Sequence, residues 1–396
     1  MNSENVLFSP SERAFVAQHL TADPPQLLLK YGKEKQPLIA QIEARQKIRY
    51  KLHSWYENLD LVLPAVVSLE QSSSEATAQY KASLVAGELL IDLTGGMGVD
   101  TSYFASRFER VIYVEQNETL VAQAKHNFEV LGIKNIDCIC ADSLHFLAQF
   151  SQKADWIYAD PARRSAAAGR VHLLQDCQPD VVQNLPLLLQ KSGQILLKTS
   201  PLLDLKQAIS TLQKVNEVQV VALQNEVKEV LFLLKNTDNQ VIKIHSVNLS
   251  DTPPYLPIQT FTHLIDDETN LAVKLHNPLP YLYEPNAAIL KAGAFKSVAG
   301  QFDLYKIAPH SHLYTSEILV SNFPGRIFKC QATVKADTKA LASYLPNGKA
   351  NLTLRNFPST TDELRKKLKL KDGGDVYLFA TTLANGDKRI LVCKKV

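Results

Sequence analysis

No stretch of this 396-residue chain approaches the roughly 18 consecutive apolar residues that a membrane-spanning helix needs. The opening Met-Asn-Ser-Glu-Asn also lacks the basic-then-apolar pattern of a secretory signal. A cytoplasmic protein with no membrane partner is therefore expected. Cysteine is scarce: Cys138, Cys140, Cys177, Cys330 and Cys393 are odd in number and widely spread. Cys138 and Cys140 alternate along an expected strand, and no further Cys or His pair completes a four-ligand site. His310 and His312 stand two apart but have no third ligand nearby. Reduced core cysteines and no metal are expected.

Neither sign of charge dominates, since 43 Lys and Arg stand against 40 Asp and Glu. The distribution is uneven. Residues 321–396 hold 15 Lys and Arg against 6 Asp and Glu, a balance of +9 in a chain of net charge +3, which leaves −6 for the rest. A basic C-terminal end on a mildly acidic body fits a polyanionic partner; a merely solvated lysine-rich surface is the other reading. With 45% hydrophobic residues there is apolar mass for a real core, and the length predicts two or three domains.

The informative stretch is 89–101, Leu-Leu-Ile-Asp-Leu-Thr-Gly-Gly-Met-Gly-Val-Asp-Thr. A buried strand ending at Asp92 runs into a glycine-rich turn and then a helix. Gly95, Gly96 and Gly98 allow positive φ and close approach of a nucleotide-like ligand, although a purely structural turn has the same appearance. The dinucleotide pattern Gly-x-Gly-x-x-Gly is incomplete, with Thr101 at its third glycine. Asp92 would repel a pyrophosphate and suits the ammonium of a methionine moiety, so S-adenosylmethionine fits better than NAD.

Further acids follow at strand ends. Val111 to Glu115 reads as a second strand, and the 23 residues from Asp92 to Glu115 match a strand–helix–strand unit. Glu115 is placed to accept from both hydroxyls of a ribose. A third strand, Ile136 to Cys140, ends in Ala141-Asp142-Ser143, where Asp142 can accept from an adenine amine. A fourth, from Trp156, ends in Asp160-Pro161-Ala162-Arg163-Arg164, and a fifth ends in Ser200-Pro201. Arg163 and Arg164 suit a phosphate or, alternatively, structural ion pairs. Val218–Leu223 and Val230–Lys235 are joined too briefly to be parallel.

Upstream, residues 1–85 read as helical, with starts at Ser9-Pro10 and Asp23-Pro24. Pro37 to Tyr56 has near-helical apolar spacing, and Arg45, Lys47, Arg49 and Lys51 on its other face read as a solvated or nucleic-acid-facing surface. Ser74 is a candidate N-cap with Thr77 or Ala78 near the third helical position. Past residue 240, Asp251-Thr-Pro-Pro and Asn277-Pro-Leu-Pro read as linkers. Tyr281 to Gly293 is expected to begin a short helix, and Glu317 to Val320 to be a strand. The tail reads as a small α+β module with strands at Ile327–Val334, Asn351–Asn356, Val376–Thr382 and Arg389–Lys394. Its helix, between Thr361 and Leu370, carries Arg365, Lys366, Lys367 and Lys369.

Five βα units followed by an antiparallel hairpin, with Asp92-Leu-Thr-Gly-Gly-Met-Gly, Val114-Glu115, Ala141-Asp142 and Asp160-Pro161 in order, resemble the class I methyltransferases. The resemblance covers about residues 75–236. It implies an α/β fold with a seven-stranded Rossmann-like sheet whose last strand inserts antiparallel, and S-adenosyl-L-methionine as cofactor. Carried over by position, Asp92, Thr94, Gly95, Gly96 and Gly98 would hold the methionine part, Glu115 the ribose, and Asp142 with Ser143 the adenine. Asp160 and Pro161 would orient the acceptor, with Arg163 and Arg164 on a substrate phosphate. Nucleic-acid amino-methyltransferases carry Asp-Pro-Pro-Tyr, whose ring stacks the base; this chain has Ala162-Arg163 there, and Tyr158 is a candidate replacement. Carbon-5 cytosine methylation is not expected, because 160–165 and 198–202 hold no cysteine nucleophile.

The Glu284-Pro-Asn and Phe323-Pro-Gly-Arg segments and the basic tail resemble the ferredoxin-like and THUMP-like ending of a methyltransferase family, although THUMP domains usually precede the catalytic domain. The expected organisation is a helical N-terminal region over 1–74, a methyltransferase domain over 75–238, a linker and ferredoxin-like segment over 239–320, and a THUMP-like module over 321–396. The expected function is S-adenosylmethionine-dependent methylation of RNA (rRNA or tRNA). The alternatives are a protein or small-molecule acceptor, or a non-catalytic RNA-binding protein.

Overall fold

The computed structural model describes residues 8–163, 174–237 and 241–396. The chain divides into two compact units, one of residues 1–218, 228–240 and 250–256, the other of residues 219–227, 241–249 and 257–396.

The first unit opens with helices α1 (Pro10–Gln18), α2 (Pro24–Tyr31), α3 (Gln36–Ile48), α4 (His53–Glu57), α5 (Val66–Gln71) and α6 (Glu75–Ser83). Their starts follow local chemistry. Ser9 caps α1 in a reciprocal box with Glu12, and Ser74 does the same for α6 with Thr77, whose hydroxyl replaces the usual Glu. The expected helix over Pro37–Tyr56 breaks after Ile48. Arg45, expected on an outer face, is 1% exposed instead. Its guanidinium donates to the carbonyl oxygens of Trp55, Tyr56, Asn58, Leu59 and Leu61 at 2.7–3.3 Å. Two carbonyls in the last turn of α4 and three in the irregular segment after it thus find one donor with fixed geometry. Burial lowers the Arg45 pKa to about 10.

Next in the chain come the strands of a nine-stranded sheet, β1 (Gly87–Asp92), β2 (Phe108–Glu115), β3 (Ile136–Cys140), β4 (Trp156–Ala159), β7 (Gln194–Thr199), β8 (Val215–Leu223), β9 (Glu226–Lys235), β10 (Lys243–Leu249) and β11 (Pro257–Leu264), of which β10 and β11 fall within the residue ranges of the second unit. The short pair β5 (Ala162–Arg163) and β6 (Cys177–Gln178) forms a separate ladder. Strand order is β11-β10-β8-β9-β7-β4-β1-β2-β3. β1, β2, β3, β4 and β7 run parallel, and β9 inserts antiparallel beside β7. The sheet has nine strands, not the expected seven. The excess is β10 and β11, an antiparallel pair whose Phe261 and Val247 are buried; the Pro-rich stretch at 251–254 is their connection, not the start of a linker. Helices α7 (Val99–Phe104), α8 (Glu118–Val130), α9 (Ser143–Gln149), α10 (Val181–Lys191) and α11 (Leu205–Leu212) connect the strands. Crossover helices are what parallel strands require. No helix among the described residues is long and apolar enough to cross a membrane.

The second unit carries a seven-stranded sheet of β12 (Tyr281–Pro285), β13 (Tyr305–Lys306), β14 (Tyr314–Ser316), β15 (Gly325–Val334), β16 (Asn351–Arg355), β17 (Val376–Thr382) and β18 (Lys388–Lys395), in the order β13-β14-β12-β15-β18-β17-β16. Tyr281–Pro285 is thus a strand, with the helix beginning only at Ala287 behind the Asn286 cap. The strand expected at Glu317–Val320 lies earlier, at Tyr314–Ser316. Glu284, 3% exposed, is held by Arg326 and by Arg355. Gly325 packs so closely that a Cβ would fall 2.1 Å from the Glu284 carbonyl oxygen, which explains Pro-Gly-Arg at that point. The basic helix ends at Lys367, and Lys369 has φ +55°. Arg365 and Lys369 are therefore not helical neighbours, and Arg365 pairs with Asp372 at 2.9 Å. Lys366, Lys367 and Lys369 are exposed.

Replacing Arg45 by Leu leaves five carbonyl oxygens without their donor, so chemical denaturation should show a loss of about 3 kcal/mol. A loss within about 0.5 kcal/mol, typical of an exposed position, would contradict this packing role.

Candidate active site

The carboxyl ends of β1, β2, β3 and β4 open onto one cavity of about 940 Å³. Asp92, Thr94, Gly95, Gly96, Gly98, Glu115, Asp142, Ser143, Asp160 and Pro161 all line it. The volume is near the upper end of ordinary ligand sites. Arg163 lies on β5, where its backbone pairs with Cys177. Arg164 lies outside the described residues.

The turn after β1 is shaped by what lies beneath it as well as by the space above. Gly96 and Gly98 have φ of +53° and +83°. A Cβ on Gly95 would fall 2.2 Å from the Tyr113 ring, and one on Gly98 2.6 Å from Phe128. The Tyr113 hydroxyl donates to the Gly96 carbonyl oxygen at 2.5 Å. A Cβ on Gly96, by contrast, would have only the Thr94 carbonyl oxygen nearby, at 3.8 Å, so the loop is open there.

Asp92 is 1% exposed and accepts from the Thr101 hydroxyl at 2.6 Å and the Thr94 backbone N–H at 2.9 Å. Burial raises its pKa from 3.8 to about 7, against the lowering effect of those two hydrogen bonds. Thr94 in turn accepts from the Asp160 backbone N–H at 2.7 Å. Glu115 accepts from the Gly96 N–H at 3.1 Å and the Asn117 N–H at 2.9 Å, one on each carboxylate oxygen. Each oxygen keeps a second lone pair for a ligand. Asp142 caps α9 through the His145 N–H at 2.8 Å.

Sequence reasoning missed a set of charged groups behind these motifs. Lys81, 0% exposed, reaches both Glu229 carboxylate oxygens at 2.8 and 2.9 Å, Ser73 Oγ at 3.0 Å and Asp100 at 3.3 Å. Asp100 also accepts from the Tyr158 hydroxyl at 2.6 Å and from Ser73 at 2.9 Å. Burial alone would raise Asp100, but Lys81 and Lys198 hold its pKa below the usual range. Burial raises Glu229 in spite of the same two lysines. Lys198 pairs with Asp160 across adjacent strand ends. A lone lysine after Ile195-Leu196-Leu197, all fully buried, was the available signal for Lys198; Lys81 sits in an ordinary helical pattern and gave none. Tyr158 does not supply a stacking surface. Its ring is buried, packs edge-on against Phe104 at 4.9 Å and holds Asp100 through its hydroxyl. No metal-holding cluster of three or more His, Cys, Asp or Glu occurs among the described residues.

The donor set tests the cofactor. Asp92, Asp100, Glu115, Asp142 and Asp160 line the cavity, against Lys198 and Lys228 as its described cations. An acidic lining fits a cofactor bearing sulfonium and ammonium groups and disfavours a pyrophosphate.

Comparison with known proteins agrees. Residues 87–263 match the family described as RNA cap guanine-N2 methyltransferase, 281–324 a ferredoxin-like domain and 325–395 a THUMP domain-like family. The chain resembles a solved protein from Porphyromonas gingivalis W83, named as a candidate methyltransferase, at 33% identity and TM-score 0.86, over 98% of this chain and 100% of that one. An uncharacterised S-adenosylmethionine-dependent methyltransferase of Mycobacterium tuberculosis (strain H37Rv) is 22% identical over 321 residues, 81% of this chain and 84% of its own. An uncharacterised RNA methyltransferase of Thermotoga maritima is 38% identical over 87 residues, 21% of this chain and 19% of its own. The chain belongs to the S-adenosylmethionine-dependent methyltransferases that end in ferredoxin-like and THUMP-like domains.

The Asp92 environment gives a pH prediction. Its native pKa lies above the unfolded value, so the native state binds more protons between about pH 4 and pH 7, and this group's contribution to stability falls as pH rises through that window. Asp92→Asn removes that loss. In denaturation across pH, the stability of the variant relative to wild type should rise from pH 4 to pH 7 and level off above it. A pH-independent difference would contradict the buried, proton-retaining carboxyl.

Proposed function

We propose that this methyltransferase acts on RNA, either rRNA or tRNA, with the four strand-end motifs dividing the work. The loop from Asp92 through Thr94, Gly95, Gly96 and Gly98 holds the methionine part, Glu115 the ribose hydroxyls, and Asp142 with Ser143 the adenine edge. Bound S-adenosylmethionine supplies an electrophilic methyl group. Asp160 orients the acceptor or takes its proton, Pro161 shapes the approach, and Arg163 and Arg164 hold a substrate phosphate. Catalysis on this reading is chiefly alignment of a nucleophile with the methyl carbon.

What carries the reading is the convergence of all four motifs on one acidic cavity. The RNA acceptor is supported by the matched family's description and by the named RNA methyltransferase relative. The +9 balance of residues 321–396, with Lys366, Lys367 and Lys369 exposed, adds a surface suited to a phosphate backbone.

The assay is transfer of labelled methyl from S-adenosylmethionine into RNA from cells lacking the gene, followed by mass analysis of nucleosides. Reversing Lys366, Lys367 and Lys369 to Glu should weaken RNA binding and flatten its salt dependence without changing cofactor affinity. An unchanged slope, or no RNA binding by wild type, would move a protein or small-molecule acceptor ahead. Separately, Glu115→Ala should weaken S-adenosylmethionine binding by about 1–3 kcal/mol in calorimetry, the usual cost of lost charged hydrogen bonds. Wild-type affinity in the folded variant would remove Glu115 from the ribose site.

A further inference from the structure

Lys198 sits at the end of β7, after three consecutive side chains that are fully buried. Its own side chain is 13% exposed. Taking an ammonium out of water costs several kcal/mol unless it is paired, so its partner indicates what it does there. Glu229, a buried acid close by, is already held through both oxygens by Lys81. Lys198 reaches outward instead, to Oδ2 of Asp160, a carboxylate 33% exposed at the cavity wall. Two buried lysines thus have two different tasks. Lys81 ties α6 to β9 and α7 inside the fold, whereas Lys198 holds a group that faces the ligand space.

The Asp160 backbone is fixed independently by its N–H to Thr94. With the main chain tied to the cofactor loop, the side chain keeps rotational freedom about χ1 and χ2, and a carboxylate can turn away from the acceptor. A cation on one oxygen removes that freedom and leaves the other oxygen as an acceptor. Lys198 remains a cation for this purpose. Burial would lower its pKa, but Asp160, Glu229 and Asp100 together hold it above the ordinary lysine range.

We propose that Lys198 is a positioning residue for methyl transfer, fixing the Asp160 carboxylate between the cofactor loop and the acceptor. The proposal rests on the acceptor-facing role of Asp160 and is independent of whether the acceptor is RNA. The test uses the full-length protein with labelled S-adenosylmethionine and an unfractionated extract of cells lacking the gene, which contains RNA, protein and small-molecule acceptors together. Lys198→Met and the milder Lys198→Gln should lower the transfer rate at saturating cofactor by about 100-fold, the scale of a misplaced catalytic group. Calorimetric affinity for S-adenosylmethionine should stay within about threefold, and Lys198→Arg, which keeps a charged donor, should recover most of the rate. Near-wild-type transfer by the Met and Gln variants overturns the proposal. So does a loss of cofactor affinity parallel to the loss of rate, failure of Arg to rescue, or loss of a folding transition in both uncharged variants, since each assigns Lys198 to the scaffold or the cofactor. Ribonuclease treatment separates the two readings: label that survives it refutes the RNA acceptor while leaving the comparison among Lys198 variants intact. An extract in which wild type labels nothing overturns both.

Discussion

The site depends on one buried carboxyl. Asp92 stands where a parallel strand ends, out of water, and its two oxygens hold the hydroxyl of Thr101 and the backbone of Thr94. Thr94 then receives the backbone N–H of Asp160 from the neighbouring strand end. A short chain of hydrogen bonds therefore joins the start of α7, the glycine loop and the Asp160-Pro161 turn. In a low-dielectric setting an unpaired member of such a chain is costly, so its members fix one another's positions. The glycine loop and the Asp160-Pro161 turn are held in register by the same few atoms.

Around that chain the protein places more charge than a hydrophobic core usually tolerates. Lys81 and Glu229 are buried and paired, and Lys81 also reaches Asp100, whose side chain is 11% exposed at the cavity lining. Replacing a buried ion cluster with apolar side chains is often neutral or stabilising, so stability alone is a weak reason for this one. Its position directly behind the cavity gives a better one: fixed charges in a dry setting set the field of the site without reorganising during the reaction. The second unit shows the same device in a purely architectural setting, where Arg326 and Arg355 close on the buried Glu284 and Gly325 gives the room.

Much of this was legible in the residues. The four strand-end motifs are contiguous in sequence, and the period-2 and period-3.6 patterns between them place each at a strand's carboxyl end. The helix starts at Ser9 and Ser74 and the antiparallel run of β9 were readable for the same reason, because local chemistry specifies local geometry; the reciprocal boxes at the two caps were not. Strands β10 and β11 were not, since Thr252-Pro253-Pro254 signals a turn equally well inside a hairpin and at a domain boundary. Tyr281–Pro285 misled because its proline belongs to the strand end preceding the helix cap.

The sequence by itself determined that a glycine loop, the acids Glu115 and Asp142 and an Asp-Pro turn follow one another at strand ends, because each is a short motif whose meaning lies in its neighbours. Only the tertiary structure decided what stands behind them. Arg45 moved from an outer helix face to a buried donor for five carbonyls, Tyr158 from a free ring to a packed one, and Lys198 and Lys81 from unremarked lysines to the partners of Asp160 and Glu229. Burial and pairing of a charge are set by contacts between residues far apart in the chain, 148 positions between Lys81 and Glu229, and no local pattern encodes the dielectric surroundings that give those contacts their strength.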